Sequence, residues 1–329
     1  MIENFGQTQS GDTVQRVKLS NGSLTAHFLS FGGILQDVRM AGYAPSLVLG
    51  FDNFSAYETA GSYIGATAGR FANRISNGHL NIQGQHYQLD QNFLERHTLH
   101  GGRDSIGKQL WDIAECHSDR VIFAIKLSDG HMGFPGNLQI ELEWQLKADN
   151  TISAILRAHT DAATVCNLAQ HSYFNLTGRP DMYGHELKVA AEQYLPVDNE
   201  FIPTGEVLSV AGTEFDFRQP VQLPTQQLLN HNFCLSRERQ RIRPVAWLSA
   251  IEVGLTLEIC TTEPGLQLYD GSLLSSGAKG LNGFVYKPFS GLALEAQLWP
   301  DAPNQPHFPS ALLLPDASYF QQTEFKFIQ

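Results

Sequence analysis

Alternation with a period of two runs through most of this chain and restricts its fold more than any other feature. In "NLQIELEWQL" (137–146), Leu138, Ile140, Leu142, Trp144 and Leu146 fall on one side, with Gln139, Glu141, Glu143 and Gln145 on the other. Successive side chains of a strand point to opposite faces, so this pattern buries one face of a sheet and wets the other. After the turn-like "KADN", "TISAILRAH" continues with Ile152, Ala154, Leu156 and Ala158 on one side, and the two segments read as a β-hairpin. "RVIFAIKLSDG" repeats the pattern with Val121, Phe123, Ile125 and Leu127 and stops at the Asp129–Gly130 turn signal. "HLNIQGQHYQL", "HELKVAAEQYLPV" and "LTLEICTTEPGLQLYDG" read as further short strands. Helical periodicity is weak, and "PTQQLLN" (224–230) is the best candidate for a turn or two. Many short strands with Gly- and Pro-rich connections predict an all-β sandwich or barrel with few short helices.

No internal repeat and no low-complexity linker divides the 329 residues, so a single domain over 1–329 is expected. Five prolines between Pro300 and Pro315 predict an ordered, extended stretch rather than a strand. A hydrophobic share of 42% with 17% charged residues is that of a folded globular protein. The net charge of −11 argues against nucleic acid, because phosphate binding needs concentrated Lys and Arg. A neutral partner fits best. The first twenty residues have neither a cationic n-region nor an apolar h-region, and no apolar run is long enough for a bilayer; a cytoplasmic protein is expected. Cys116, Cys166, Cys234 and Cys260 form no CxxC pair and read as thiols of a reducing compartment. Twelve histidines show no zinc-ligand spacing, so no metal is expected.

The segment "CNLAQHSYFNL" (166–176) carries the first chemical hint. Read as one strand, it places Asn167, Ala169, His171, Tyr173 and Asn175 on one face, opposite Leu168, Gln170, Ser172, Phe174 and Leu176. Such a polar face is either a wet surface or a site. In "GLALEAQLW", Glu295, Gln297 and Trp299 oppose Leu292 and Leu294; in "GLQLYDG", Gln267 and Tyr269 oppose Leu266 and Leu268. Carboxylate, imidazole and amide groups beside aromatic rings suit sugars, whose C–H faces pack on rings and whose hydroxyls need donors and acceptors. A lone His or Glu on a strand is more often structural or solvated, and periodicity does not say that these strands are neighbours. From the residues alone, the reading stops at an all-β protein with a carbohydrate-directed face.

Seven longer words occur in order: "GATAGRFANRI" (65–75), "LHGG" (99–102), "DGHMGFPG" (129–136), "NLAQHSYFNL" (167–176), "PVDNEFIPTGE" (196–206), "TTEPGLQLYDG" (261–271) and "LEAQLWPDAPNQPHFPS" (294–310). Together they resemble the aldose 1-epimerase (galactose mutarotase) family over nearly the whole chain. The resemblance implies a large β-sandwich of the galactose mutarotase type, with an open sugar cleft and no metal or organic cofactor. It implies interconversion of the α and β anomers of a free monosaccharide such as galactose or glucose. In the family's words, Glu295 corresponds to the base and His171 to the acid, while His100, Asn73, Arg74 and Gln267 hold or line the sugar site.

One departure is telling. The family's "DHNF" stands here as "NHNF", with Asn230 in place of an Asp that binds sugar hydroxyls. Asn keeps one acceptor oxygen, adds an NH₂ donor and loses the charge, so the hydroxyl contact is expected to be retuned and the galactose preference is in doubt. Ala296 and Trp299, where the family has Thr and Phe, are expected to reshape the pocket. The rivals are a non-catalytic sugar-binding protein on the same fold, an epimerase of an atypical or phosphorylated sugar, and a carbohydrate lyase or glycosidase. The quaternary expectation is a monomer or homodimer.

Overall fold

The computed structural model describes residues 1–60, 63–225 and 228–329. Among the described residues a nine-stranded sheet and a six-stranded sheet dominate, with a four-stranded sheet formed by the first four strands of the chain. The predicted hairpin lies within the larger sheet. Leu138–Leu146 pairs antiparallel with Thr151–Thr160, in register from Leu138↔Thr160 to Leu146↔Ile152. The six-stranded sheet runs in the order Tyr173–Phe174, Leu292–Gln297, Gly265–Tyr269, Asn230–Cys234, Gln193–Tyr194, Leu208–Ser209.

The two large sheets share one apolar core. Leu142, Trp144, Leu156, Leu257 and Phe325 of the larger sheet belong to the same buried cluster as Phe174, Leu266, Leu268, Leu292 and Leu294 of the smaller one. Phe174 and Phe325 meet with ring centroids 5.3 Å apart. This packing makes the fold an all-β sandwich, as the alternation predicts. It also decides the direction of every second residue. With Leu266, Leu268, Leu292 and Leu294 turned to the core, Gln267, Tyr269 and Glu295 must face the other way. The pairing Gln267↔Glu295 sets those two side by side, and Asn230↔Tyr269 brings in the third strand.

The segment 166–176 is not the single strand that its alternation predicts. Ala169–Gln170 pairs with Thr67–Ala68, whereas Tyr173–Phe174 pairs with Leu292 and Ala293 of the smaller sheet. The chain changes partners at His171, whose N–H still donates to Ala66 O at 2.8 Å. Both faces are buried along the whole segment. Most of the polar side chains are staples between layers: Asn167 donates to Ala72 O at 3.2 Å and accepts from Leu298 N at 2.8 Å, and Asn175 donates to the carbonyls of Arg179, Asp181 and Ser290. The polar face is therefore not a wet surface.

Three smaller expectations change. Of 224–230, residues 226 and 227 lie outside the described residues, and Asn230 begins a strand instead of ending a helix. Among the described residues the one α-helix, Ser55–Ala60, is too short to leave a periodic signal; the side chain of Asn53 caps it, accepting from Ala56 N at 3.1 Å. The proline-rich stretch holds a 3₁₀ turn, Ala302–Asn304, and a two-residue strand, Leu312–Leu313, so it is less uniformly extended than predicted. Cys116, Cys166, Cys234 and Cys260 are all free thiols. No helix among the described residues is long and apolar enough to cross a membrane.

Candidate active site

The outward face of the smaller sheet closes against the 63–74 and 93–100 segments around a cavity of about 220 Å³. Asn73, Arg74, His100, His171, Asn230 and Glu295 all line it, joined by Tyr63, Phe93, Tyr173 and Tyr269. Gln267, paired beside Glu295 on the same face of the sheet and 3% exposed, is not among the lining residues; its Nε2–H donates to Asn230 Oδ1 at 2.8 Å and so orients Asn230. That bond takes one of the two lone pairs of the Asn230 oxygen, and the NH₂ group adds donors that an Asp would lack.

Short-range backbone geometry positions the wall opposite the sheet. Arg74–Ile75 pairs with Thr98–Leu99, which places His100 against Asn73. The His100 N–H donates to Asn73 O at 2.9 Å, and the Asn73 N–H donates back to His100 Nδ1 at 3.1 Å. Asn73 and His100 both adopt left-handed backbone, with φ of 65° and 52°. The following Gly101 has to be glycine: at φ +89° an added Cβ would stand 2.2 Å from Gly69 O. The bond from Asn73 N has a chemical consequence. It requires an unprotonated Nδ1, so the neutral His100 ring carries its proton on Nε2 and acts as a donor. Burial, with help from the neighbouring His171 and Arg74, pushes His100 well below the usual imidazole range and keeps it neutral.

His171 Nε2 lies 3.6 Å from Glu295 Oε1, both groups being almost fully buried. His171 packs edge-on to His100, 5.2 Å away, and tilted against Tyr173, 5.1 Å away between centroids. Desolvation pushes Glu295 up to about 8, against the opposing pull of Arg74. Desolvation also pushes His171 down to about 4, with Arg74 acting in the same direction. The two groups therefore hold one proton between them across the neutral range. A buried acid and base, 3.6 Å apart on the wall of one cavity, can exchange protons with a ligand on both sides of a bond.

His100, His171 and Glu295 could also be read as a metal cluster, since one ligand atom from each lies within 4.8 Å of the others. The donor set does not fit a resident cation. The free nitrogen of His100 is an N–H, and the Arg74 guanidinium shares the cavity. Donors facing one carboxyl suit a hydroxylated, uncharged ligand instead. A larger cavity of about 540 Å³ lies beyond Tyr63, among Phe31, Tyr57, Glu58 and Lys108. Its described lining carries Asp12, Glu58 and Lys108 but no histidine, and its Glu58 already accepts from Gln9 N at 3.1 Å.

Ala296 and Trp299 do not reshape the cavity. Ala296 alternates to the core side of its strand and joins the main cluster. Trp299 lies past the strand's end, packed edge-on against Phe308 at 5.1 Å, with its indole N–H donating to Pro264 O at 3.0 Å. Tyr63 and Phe93 were missed by the sequence reading because both stand in turns that carry no periodic signal.

The sequence pattern that defines aldose 1-epimerases matches residues 15–326. Proteins named galactose mutarotase from Mus musculus and Homo sapiens are each 39% identical, over 98% of this chain and 97% of theirs. The aldose 1-epimerase of Escherichia coli K12 is 33% identical over 94% of this chain and 93% of its own. Among solved structures, an aldose epimerase homologue from C. elegans superposes with a TM-score of 0.89 at 31% identity, covering 95% of this chain and 98% of that one. The galactose 1-epimerase of Lactobacillus acidophilus has a TM-score of 0.85 at 26% identity, covering 100% and 98%.

Proposed function

The chain belongs to the aldose 1-epimerase family, and we propose that Glu295 and His171 are the acid–base pair with which it interconverts the anomers of a free aldose. As an aldose 1-epimerase it is an isomerase. The observation that carries the assignment of roles is the 3.6 Å approach of His171 Nε2 to Glu295 Oε1 inside a cavity lined by hydrogen-bond donors.

Opening a cyclic hemiacetal moves two protons. The anomeric O–H gives its proton to the Glu295 carboxylate, its electron pair forms the C1=O double bond, and the C1–O5 bond breaks. The ring oxygen takes a proton from the His171 imidazolium. Rotation about C1–C2 presents the other face of the aldehyde, and the same groups run the steps backwards. The pair has the right proton count, one, between about pH 4 and about pH 8. Passing that proton from Glu295 to His171 gives the carboxylate–imidazolium form that ring opening uses; the Arg74 charge favours the ionised carboxyl and opposes the imidazolium.

Binding falls to the surrounding donors. Arg74 offers a planar fork to adjacent sugar oxygens, His100 an Nε2–H, and Asn230 an NH₂ group. A volume of about 220 Å³ is below the roughly 300–1,000 Å³ typical of drug-sized ligand sites, which supports a monosaccharide over a polymer. With Asn230 presenting a donor where the family has an acceptor, we propose a preference distinct from that of an Asp-bearing relative. All seven residues lie on this chain, and we take residues 1–329 as one domain.

Polarimetry on freshly dissolved α-anomers tests the assignment. His171→Asn and Glu295→Gln should each lower kcat by about a hundredfold or more, since one positioned acid or base contributes roughly 10²–10⁴-fold. A variant with near-wild-type kcat removes that residue from the mechanism. Saturable sugar binding without faster anomer exchange in the wild type would instead mark a binding protein.

A further inference from the structure

Arg74 is the charged binding group of the proposed site, yet its guanidinium is poorly held by hydrogen bonds. Nη1 donates to Asn73 Oδ1 at 3.3 Å, and the buried Nε has no partner. Its plane is held by rings instead: the guanidinium carbon lies 4.4 Å from the Phe93 centroid and 5.2 Å from that of Phe201. These two rings come from loops more than a hundred residues apart in the sequence.

Each loop is built to present its ring. In the first, Phe93 and His97 exchange backbone bonds of 3.0 and 2.9 Å around Leu94 and Glu95, both left-handed at φ 52° and 51°. In the second, Asp198 Oδ1 accepts from the N–H groups of Glu200 at 2.8 Å and Ile202 at 3.0 Å, which turns Phe201 to φ 60°. Glu200, the residue before Phe201, ties the loops together. Arg96 Nη1 donates to its two oxygens at 3.2 and 2.9 Å, and His97 Nε2 donates to Oε2 at 3.1 Å. Asn77 N donates to the His97 Nδ1 at 3.0 Å, which leaves Nε2 as the ring's donor toward Glu200.

Resting on the binding role proposed for Arg74, we infer that Phe93 and Phe201 form an aromatic clamp that sets the plane of its guanidinium for the sugar. The Arg96–Glu200–His97 bridge, remote from the substrate, is the latch that keeps the clamp closed. Phe201 and Glu200 are thus positioning residues for the reaction. The Arg96–Glu200 ion pair, with both side chains at least one-third exposed, adds little to global stability, whereas the buried His97 Nε2–H loses its acceptor when Glu200 is truncated; the clamp itself is therefore read from Phe201, in substrate affinity before unfolding.

The test is steady-state polarimetry with galactose and glucose, beside thermal melts. Phe201→Leu and Glu200→Ala should each raise KM by about tenfold, the scale of a lost desolvated cation–π contact, with kcat within about twofold; Phe201→Leu should leave Tm little changed, while Glu200→Ala also lowers Tm by stranding the buried His97 Nε2–H. Phe201→Tyr should restore the wild-type KM. In an Arg74→Met background, Phe201→Leu should add nothing further, because the group being positioned is gone. Unchanged KM in both single variants would overturn the clamp, as would a fall in kcat at constant KM or full additivity with Arg74→Met. If Arg74→Met alone leaves KM unchanged, the binding role of Arg74 fails first, and the clamp fails with it.

Discussion

Replacing Glu295 by Gln should flatten the alkaline slope of this protein's stability. The carboxyl is buried, and desolvation raises it from an ordinary 4.5 to about 8 in the folded chain. A carboxyl raised on folding contributes stability that is full below its unfolded pKa and is lost as pH rises through its folded pKa. The window for Glu295 therefore runs from about 4.5 to about 8. At 1.36 kcal/mol per pKa unit, that span is worth about 5 kcal/mol at most, and solvent entering the cavity reduces it. About 4 kcal/mol of that span falls between pH 5 and pH 8.5, so at about 2 °C per kcal/mol wild-type Tm should fall by up to about 8 °C from this group over that range. Glu295→Gln cannot ionise and escapes this term. Differential scanning fluorimetry of both proteins across that range gives the comparison, the other carboxylates cancelling in the difference. Parallel curves for the two proteins would refute the claim that Glu295 is held protonated by burial.

Activity should follow the same two groups, with kcat/KM flat between limbs near pH 4 and pH 8, set by His171 on the acid side and Glu295 on the alkaline side; a profile recording a single group near 6.5 would contradict the shared proton. Asn230→Asp should lower KM for the sugar whose hydroxyl it meets by roughly three- to tenfold, because a charged acceptor makes bonds about twice as strong while still accepting from Gln267; KM values measured across several aldoses would reveal which. Gly101→Ala should lower Tm by several degrees and remove activity with it, since the methyl group would collide with Gly69 O at 2.2 Å; a melt matching wild type would contradict that close approach.

The parts of the fold that follow from local rules were legible in the chain. The alternation of Leu138 to Leu146 against Ile152 to Ala158 predicts both the hairpin and its buried face, and the structure pairs them in that register. The opposed faces of 265–269 and 292–297 were equally legible, because one residue's direction fixes that of the next. What alternation does not carry is which strands become neighbours, and there the family resemblance supplied the assignment of His171 and Glu295 to one site. The features that the sequence reading missed depend on long-range contacts. The segment around His171 reads as one strand, yet changes partners because residues 65–72 claim its first half and 292–293 its second. Gln267 alternates toward the site as read, but its bond to the side chain of Asn230, on a strand far off in the sequence, could not be read from alternation. Trp299 is aromatic and follows Glu295 at even spacing, yet the strand ends at Gln297 and the ring turns into the core.

The central claim, that one buried proton shared by His171 and Glu295 drives anomer exchange, is tested most directly by polarimetry of α-galactose and α-glucose with wild type, His171→Asn and Glu295→Gln. Accelerated decay in the wild type, cut about a hundredfold or more in each folded variant, is the predicted result. Equal acceleration by wild type and either variant would contradict it.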